Sequence, residues 1–420
     1  MELAIRTAMT RLGAGLLEDL LALDPGYGGP AVDCGAGHRA RFVSYRDKVI
    51  DTVLGPVTVH RAYYHCGQCP GGVVPRDAEL GTVHASLSPG LRSMAARAAT
   101  AVPFARATAL LAELAGVSLT VKRVERSAEA DGAAARAAQE AESAAILARR
   151  VIPFRPCGPL PGTLYIEVDG TGVPMTPAET AGRPGKADDG RARTREVKLA
   201  CLFTQTKYDQ KGRPVQDPAS ASYLASFAPS EAFGALAAAE ARRRGAGAIR
   251  QLIVIGDGAK WIWTLAGDRF PEATQIVDLY HAREHLHDLA AHLAFIVPDP
   301  AAWTAARLAD LDAGNIAAII TAARAYPLAG IKATELDVKT GYFETNAHRM
   351  RYARFRELGM FIGSGAVEGG CKNIIGARMK RSGMHWSLRG ADAISELRCQ
   401  DASGRWDQIW PKIHNQTSST

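Results

Sequence analysis

The stretch from residue 163 to 296 narrows most what this chain can fold into. Runs of strand length alternate there with helix-length patterns. TLYIEVDG (163–170), VKLACLFT (197–204) and SYLASF (222–227) read as three consecutive strands. SEAFGALAAAEARRR (230–244) then reads as a helix with Ser230 as its N-cap. QLIVIGDG (251–258) is a fourth strand, AKWIWTLAG (259–267) a short helix, ATQIVDLY (273–280) a fifth strand and HAREHLHDLAAHLAFI (281–296) a helix. Three meander strands followed by helix-linked strands predict a mixed α/β sheet.

This β-β-β-α-β-α-β-α order is that of the RNase H fold, in which the first and fourth strands are neighbours. Asp169 ends the first strand and Asp257 the fourth, each followed by glycine. Either alone reads as a turn, because Asp-Gly favours turns. Together, on adjacent strand ends, they read as a site. The third acid is expected on a late helix, and Glu368 is the choice. It follows Gly363-Ser364-Gly365 and precedes Lys372, Lys380 and Arg381. Three hard oxygen donors suit magnesium or manganese, and paired ions so held serve phosphodiester chemistry. Glu167 competes for a role, since it shares a strand face with Asp169.

The seven cysteines, an odd number in a large chain, argue against a secreted disulfide framework. Cys34, His38, Cys66 and Cys69 form C-x3-H-x27-C-x2-C, a spacing suited to a zinc-ribbon-like module with strands ARFVSY and GPVTVHRAYYHC between the knuckles. His60 and His65 rival His38 as the fourth ligand. Cys157, Cys201, Cys371 and Cys399 read as small buried hydrophobes. The net charge of +7 is compatible with a polyanionic partner but does not define one. No apolar run approaches the roughly 20 residues of a membrane span. The N-terminus does not read as a signal peptide, so a cytoplasmic location is expected.

The predicted organisation is an N-terminal helix and loop (1–32), the zinc-ribbon-like module (33–88) and a helical DNA-binding domain (89–150). A proline-rich boundary, PFRPCGPLPG, precedes the first part of the core (160–295). A helical insertion (296–360), the final core helices with Glu368 (361–405) and a C-terminal tail (406–420) complete it. Within the helical domain, FARATALLAELAGVSLTVKRVERSAEA reads as helix–turn–helix. Gly116 breaks the chain, Ser118 or Thr120 caps the second helix, and Lys122, Arg123 and Arg126 decorate it. An ordinary helical hairpin with a solvated basic face is the competing reading.

The stretches VDGTGVPM, VIGDGAKWIW, VDLYHAREHL and SGAVEGGCKNIIGARMKRSGMHWS resemble the conserved blocks of the ISKra family of insertion-sequence transposases. LGPVTVHRAYYHCGQCPGGVVPRD is also similar to that family, so the likeness spans nearly the whole chain. The resemblance implies a nucleoid-associated DNA transposase with a DDE triad at Asp169, Asp257 and Glu368. It implies a helical insertion before the Glu, and a D-x-x-H element at Asp278 and His281 that braces the site or touches DNA. The expected partners are terminal inverted repeats, target DNA and further copies of the chain. Lys372, Arg378, Lys380 and Arg381 are expected to face phosphates. Trp386 is read either as stacking on an unpaired base or as a core anchor.

Overall fold

A computed structural model describes residues 1–153, 160–185 and 189–417, without side chains for the last four. Cys157 lies outside the described residues. Two compact units emerge: residues 1–139 with 389–420, and residues 140–388. The second unit stops at residue 388, so residues 389–405, expected with the final core helices, fall in the first. Among the described residues, no helix is long and apolar enough to cross a membrane.

The first unit opens with helix α1 (Glu2–Ala22). A four-stranded antiparallel sheet follows, of β1 (Ala31–Asp33), β2 (Arg39–Thr52), β3 (Gly55–His65) and β4 (Gly72–Val73). The two strands expected around the cysteine cluster are present; the first is much longer than ARFVSY, and the second matches its expected span to within a residue. β2 and β3 form one hairpin closed at Thr52 and Gly55, with a bulge between Phe42 and Ser44. One end of the hairpin buries Ala40, Ala62, Tyr64 and Cys66 beside the cysteine cluster, and the other buries Ile50, Val57 and Val59 under Ala14, Leu17 and Leu21 of α1. Helices α2 (Pro75–Glu79), α3 (Pro89–Ala101), α4 (Phe104–Leu110) and residues 121–139 of α5 (Val121–Leu147) follow.

The break between α4 and α5 is where the sequence placed it. Gly116 takes φ +71°, and Thr120 Oγ1 accepts the Arg123 N–H at 3.3 Å. The basic residues are not equivalent. Lys122 pairs with Glu125 at 2.7 Å, Arg126 is exposed, and Arg123 is engaged by Asp51 at 2.5 Å and by Ser86. Arg123 is therefore held by the unit's own acceptors, unlike Arg126. The interior of the unit carries buried ion pairs: Arg92 with Asp131, and Arg136 with Glu396 at 2.8 Å.

The second unit is built on a five-stranded sheet. Its strands are β5 (Thr163–Pro174), β6 (Thr194–Gln205), β9 (Ser222–Ser226), β10 (Gln251–Gly256) and β11 (Thr274–Val277), in the order β11-β10-β5-β6-β9. β7 (Lys207–Tyr208) and β8 (Pro214–Val215) form a separate small hairpin. β5, β6 and β9 run antiparallel in succession, while β10 and β11 are parallel to β5, so the sheet is mixed as expected. Helices α6 (Pro177–Thr180), α7 (Ser230–Arg243), α8 (Lys260–Arg269) and α9 (Leu279–Leu293) accompany the strands. Ser230 is the first residue inside α7, with Pro229 in the cap position.

Residues 296–360 are helical throughout their regular elements: α10 (Pro300–Ala313), α11 (Ile316–Arg324), α12 (Ile331–Asn346) and α13 (Tyr352–Glu357). Then comes α14 (Gly365–Gly370), which continues through a π-helical stretch, Cys371–Gly376, into α15 (Ala377–Met379). The chain closes with α16 (Leu388–Ala402) and α17 (Trp406–Thr417).

Candidate active site and metal cluster

Strand register sets the positions of three acids. Ile255 pairs with Glu167, so the same offset puts Asp257 level with Asp169 on the neighbouring strand. Gly256 pairs with Val277, which puts Asp278 level with Asp257 on the next. Asp169, Asp257 and Asp278 thus stand side by side at the carboxyl edge of the parallel strands, where open α/β sheets bind ligands.

Asp169 does not end its strand. β5 continues to Pro174, still paired with β6. Gly170 lies within the paired strand and makes no turn, and a Cβ there would displace the end of the Glu196 side chain. Asp257 does leave its strand: its Oδ1 accepts the Ala259 N–H at 2.8 Å, and Gly258 takes φ +107°. A side chain at 258 would meet the Tyr342 ring, whose hydroxyl donates to the Asp257 carbonyl at 3.1 Å. Tyr342 lies in α12, so the helical segment contributes directly to the acidic edge.

Two buried carboxylates place the helix that bears Glu368. Glu167 is 1% exposed and accepts the Val367 N–H at 2.8 Å. Burial pushes its carboxyl up to about 8, against the opposing pull of the Val367 and Ala366 N–H groups. Asp278 is fully buried, caps α9 by accepting the His281 N–H at 2.8 Å, and accepts the Ser364 N–H with its other oxygen. Glu167, the rival for a ligand role, is therefore a buried structural anchor and does not line the cleft. Its signal in the sequence was a charged residue inside an otherwise apolar strand.

Glu368 lines a cleft of about 780 Å³ with Asp169, Thr171, His281, Glu284 and Lys380. Burial raises the Asp169 carboxyl, while the Cys371 thiol, donating to Oδ2 at 3.3 Å, and the Gly170 N–H oppose it. Asp257 is not among the lining residues, though its charge is felt by both Asp169 and His281. Among the described residues, Asp278, His281 and Glu368 have donor atoms within 4.8 Å of one another; the predicted trio does not meet that spacing. The acidic group could hold a divalent ion: hard carboxylate oxygens in an open cleft are the donor chemistry magnesium takes.

The helix after Glu368 separates the expected phosphate contacts. Lys372, Lys380 and Arg381 are exposed; Lys372 pairs with Glu368 at 3.5 Å, and Lys380 donates to Thr171 Oγ1. Arg378 is only 1% exposed, with its guanidinium 4.9 Å from the Trp386 ring centre. It belongs to the core and cannot face phosphate. Trp386 is also buried; its Nε1 donates to the Met379 carbonyl at 3.0 Å, and its backbone pairs with the strand end at Pro174 and Thr176. Its stacking role is excluded, and the core-anchor reading holds. Both side chains are turned inward by the π-helical stretch and the return of the chain to β5, which helical spacing alone does not reveal.

In the first unit, Cys34 and His38 flank a tight loop, and Cys66 and Cys69 follow β3. The Cys34 and Cys69 sulfurs are 3.7 Å apart, and His38 Nδ1 is 3.5 Å from Cys69 and 4.0 Å from Cys66. Gly35 and Gly37 take φ +83° and +79°, so the knuckle uses left-handed backbone where a second cysteine would be strained. Hydrogen bonding to Cys66 and Cys34 pushes the Cys69 thiol up to about 11, whereas the Ala36 N–H lowers Cys34. Clustered thiolates repel unless a cation sits among them. The four donors fit a tetrahedral zinc ion. His60 is excluded as a ligand, since it pairs with Asp47 at 2.7 Å and stacks on Tyr45.

A scan against protein-family models and a search of curated proteins return no match to this chain.

Proposed function

We propose that this chain is a DDE-type DNA transposase with an RNase H-like core. The observation that carries the reading is the register that sets Asp169 and Asp257 level on adjacent strands while two buried carboxylates lock the Glu368 helix against them. The sheet order, with the first and fourth strands adjacent, and the single helix before each of the last two strands agree with that core. Asp169, Asp257 and Glu368 would hold magnesium or manganese. Such an ion, when bound, lowers the barrier to in-line displacement at phosphorus. The protein's own residues bind and orient the DNA. Lys380 and Thr171 border the cleft where a phosphate would lie, and the His281 imidazolium faces the same space as a hydrogen-bond donor. Zinc at Cys34, His38, Cys66 and Cys69 would hold the N-terminal module in its fold. Duplex DNA, comprising the element's end repeats and its target, is the proposed partner. Two DNA ends require at least two copies of the chain.

The test is a labelled duplex carrying the ends of the element that encodes the chain, with and without magnesium. Joined product supports the transposase; cutting without joining means a nuclease; binding without cutting means a DNA-binding regulator. Asp169→Asn, Asp257→Asn and Glu368→Gln should each lower cutting and joining by roughly a thousandfold. Loss of ion binding forfeits several kcal/mol, and about 1.4 kcal/mol is a factor of ten. Near-normal cleavage by Glu368→Gln would remove it from the triad.

A further inference from the structure

We propose that α1 is a homodimerisation element, pairing antiparallel with α1 of a second copy about a two-fold axis near Leu12 and Gly13. One face of α1 is already used, with Ala14, Leu17 and Leu21 packed on the β2–β3 hairpin. The opposite face carries Ile5, Met9, Leu12, Leu16, Leu20 and Leu23, each between 56% and 81% exposed. Their separations of three and four residues trace one continuous seam, the pattern of a helix packed against a like helix. Six such side chains offer roughly 600 Å² per copy. The pair would bury about 1,200 Å², the lower bound for a specific interface. That is more apolar surface than an isolated helix face needs to leave in water.

The sequence of α1 favours its own reverse as the partner. Aligned antiparallel about the proposed axis, Ile5 meets Leu20, Met9 meets Leu16, and Leu12 meets its mate beside Gly13. Charge is complementary in the same alignment. Arg6 and Arg11 lie in the first half of the helix, and Glu18 and Asp19 in the second. Arg6 comes opposite Asp19. A parallel pair would set like charges against each other. Arg6 donates to the Leu114 carbonyl at 3.1 Å, and its remaining donors are enough for a carboxylate. A two-fold interface of this kind is self-complementary, each residue repeating its contact on the other copy.

The experiment is mass measurement of the full chain by light scattering over a range of micromolar concentrations, without DNA. The wild type should run at twice the chain mass. Leu12→Glu with Leu16→Glu should weaken association by at least about tenfold and leave the circular dichroism spectrum unchanged, because both side chains are exposed. Asp19→Arg should weaken the dimer, and adding Arg6→Glu should restore it. Leu12→Cys should cross-link to itself, and Met9→Cys should cross-link to Leu16→Cys but poorly to itself, against a wild-type background. A monomeric wild type, a dimer indifferent to the glutamate pair, or efficient Met9→Cys self-cross-linking would each overturn the proposal.

Discussion

His281 and Asp278 form an ion pair at the edge of the cleft, with Nδ1 3.4 Å from Oδ1. The Asp278 side chain pushes His281 up to about 9 against the opposing effect of burial, and Glu284 and Asp257 add to the rise. Asp169 and His285 also interact with it electrostatically, and Glu368 lies across the same group. Burial works against the Asp278 charge, yet hydrogen bonds from His281 and Ser364 outweigh it and hold the carboxyl below its usual range. The sign of the linkage follows from the raised imidazole. Its stabilising contribution is complete below the unfolded value near 6.5 and is lost as pH climbs through about 9. Following His281 by NMR in metal-free protein should place its midpoint near 9. In Asp278→Asn it should fall back toward roughly 6.5. A native midpoint at the ordinary value would show that the pair does not form. The Asp-x-x-His spacing was legible in the sequence. The Ser364 contact to Asp278 was not, because it joins positions 86 residues apart.

At the level of elements, the cysteine hairpin and the segment after Glu368 answer different questions. Cys66 is buried between the hairpin core and the cluster, so it links the fold of β1–β4 to the site that could hold zinc. Cys66→Ser should abolish stoichiometric zinc in protein purified without chelator. It should also remove hydrogen-exchange protection from the hairpin while the five-stranded sheet keeps its own. Full protection of the hairpin in metal-free protein would mean that zinc is not what holds it. Trp386 tests the segment after Glu368. Its ring packs on Arg378, and its backbone extends the pairing of β5. Trp386→Ala should cost about 3–5 kcal/mol, as truncation of a buried aromatic does. Denaturant unfolding measures this, and a loss under about 1 kcal/mol would contradict the anchor role.

For the whole molecule, the proposed partner is a polyanion, and the exposed cations around the cleft are the measurable consequence. Lys380→Ala should weaken binding to all duplexes about equally. The log–log salt dependence should become shallower by about one unit, the expected loss for one phosphate contact. An unchanged slope would place Lys380 outside the DNA path. Arg378 should show no such behaviour, since its side chain is buried. The two compact units also depart from the linear order of segments, because the chain's last residues return to the first unit. Gly132 there approaches the Ala393 backbone so closely that a Cβ would clash.

Local pattern was sufficient for much of this protein. Period and punctuation marked the strands, the helical run between Asp257 and Glu368, the break at Gly116 and the four clustered zinc-type donors, since each depends on residues near one another in the chain. The direction in which a side chain faces depends on what packs against it. The sequence preferred Asp169 to Glu167 only by a strand end that the structure moves on to Pro174, and it did not separate Arg378 from Lys380. Only the tertiary structure assigned Glu167 and Arg378 to the interior and Asp169 and Lys380 to the cleft: Glu167 is held by Val367, 200 residues away, and Arg378 by the return of the chain that lays Trp386 against it.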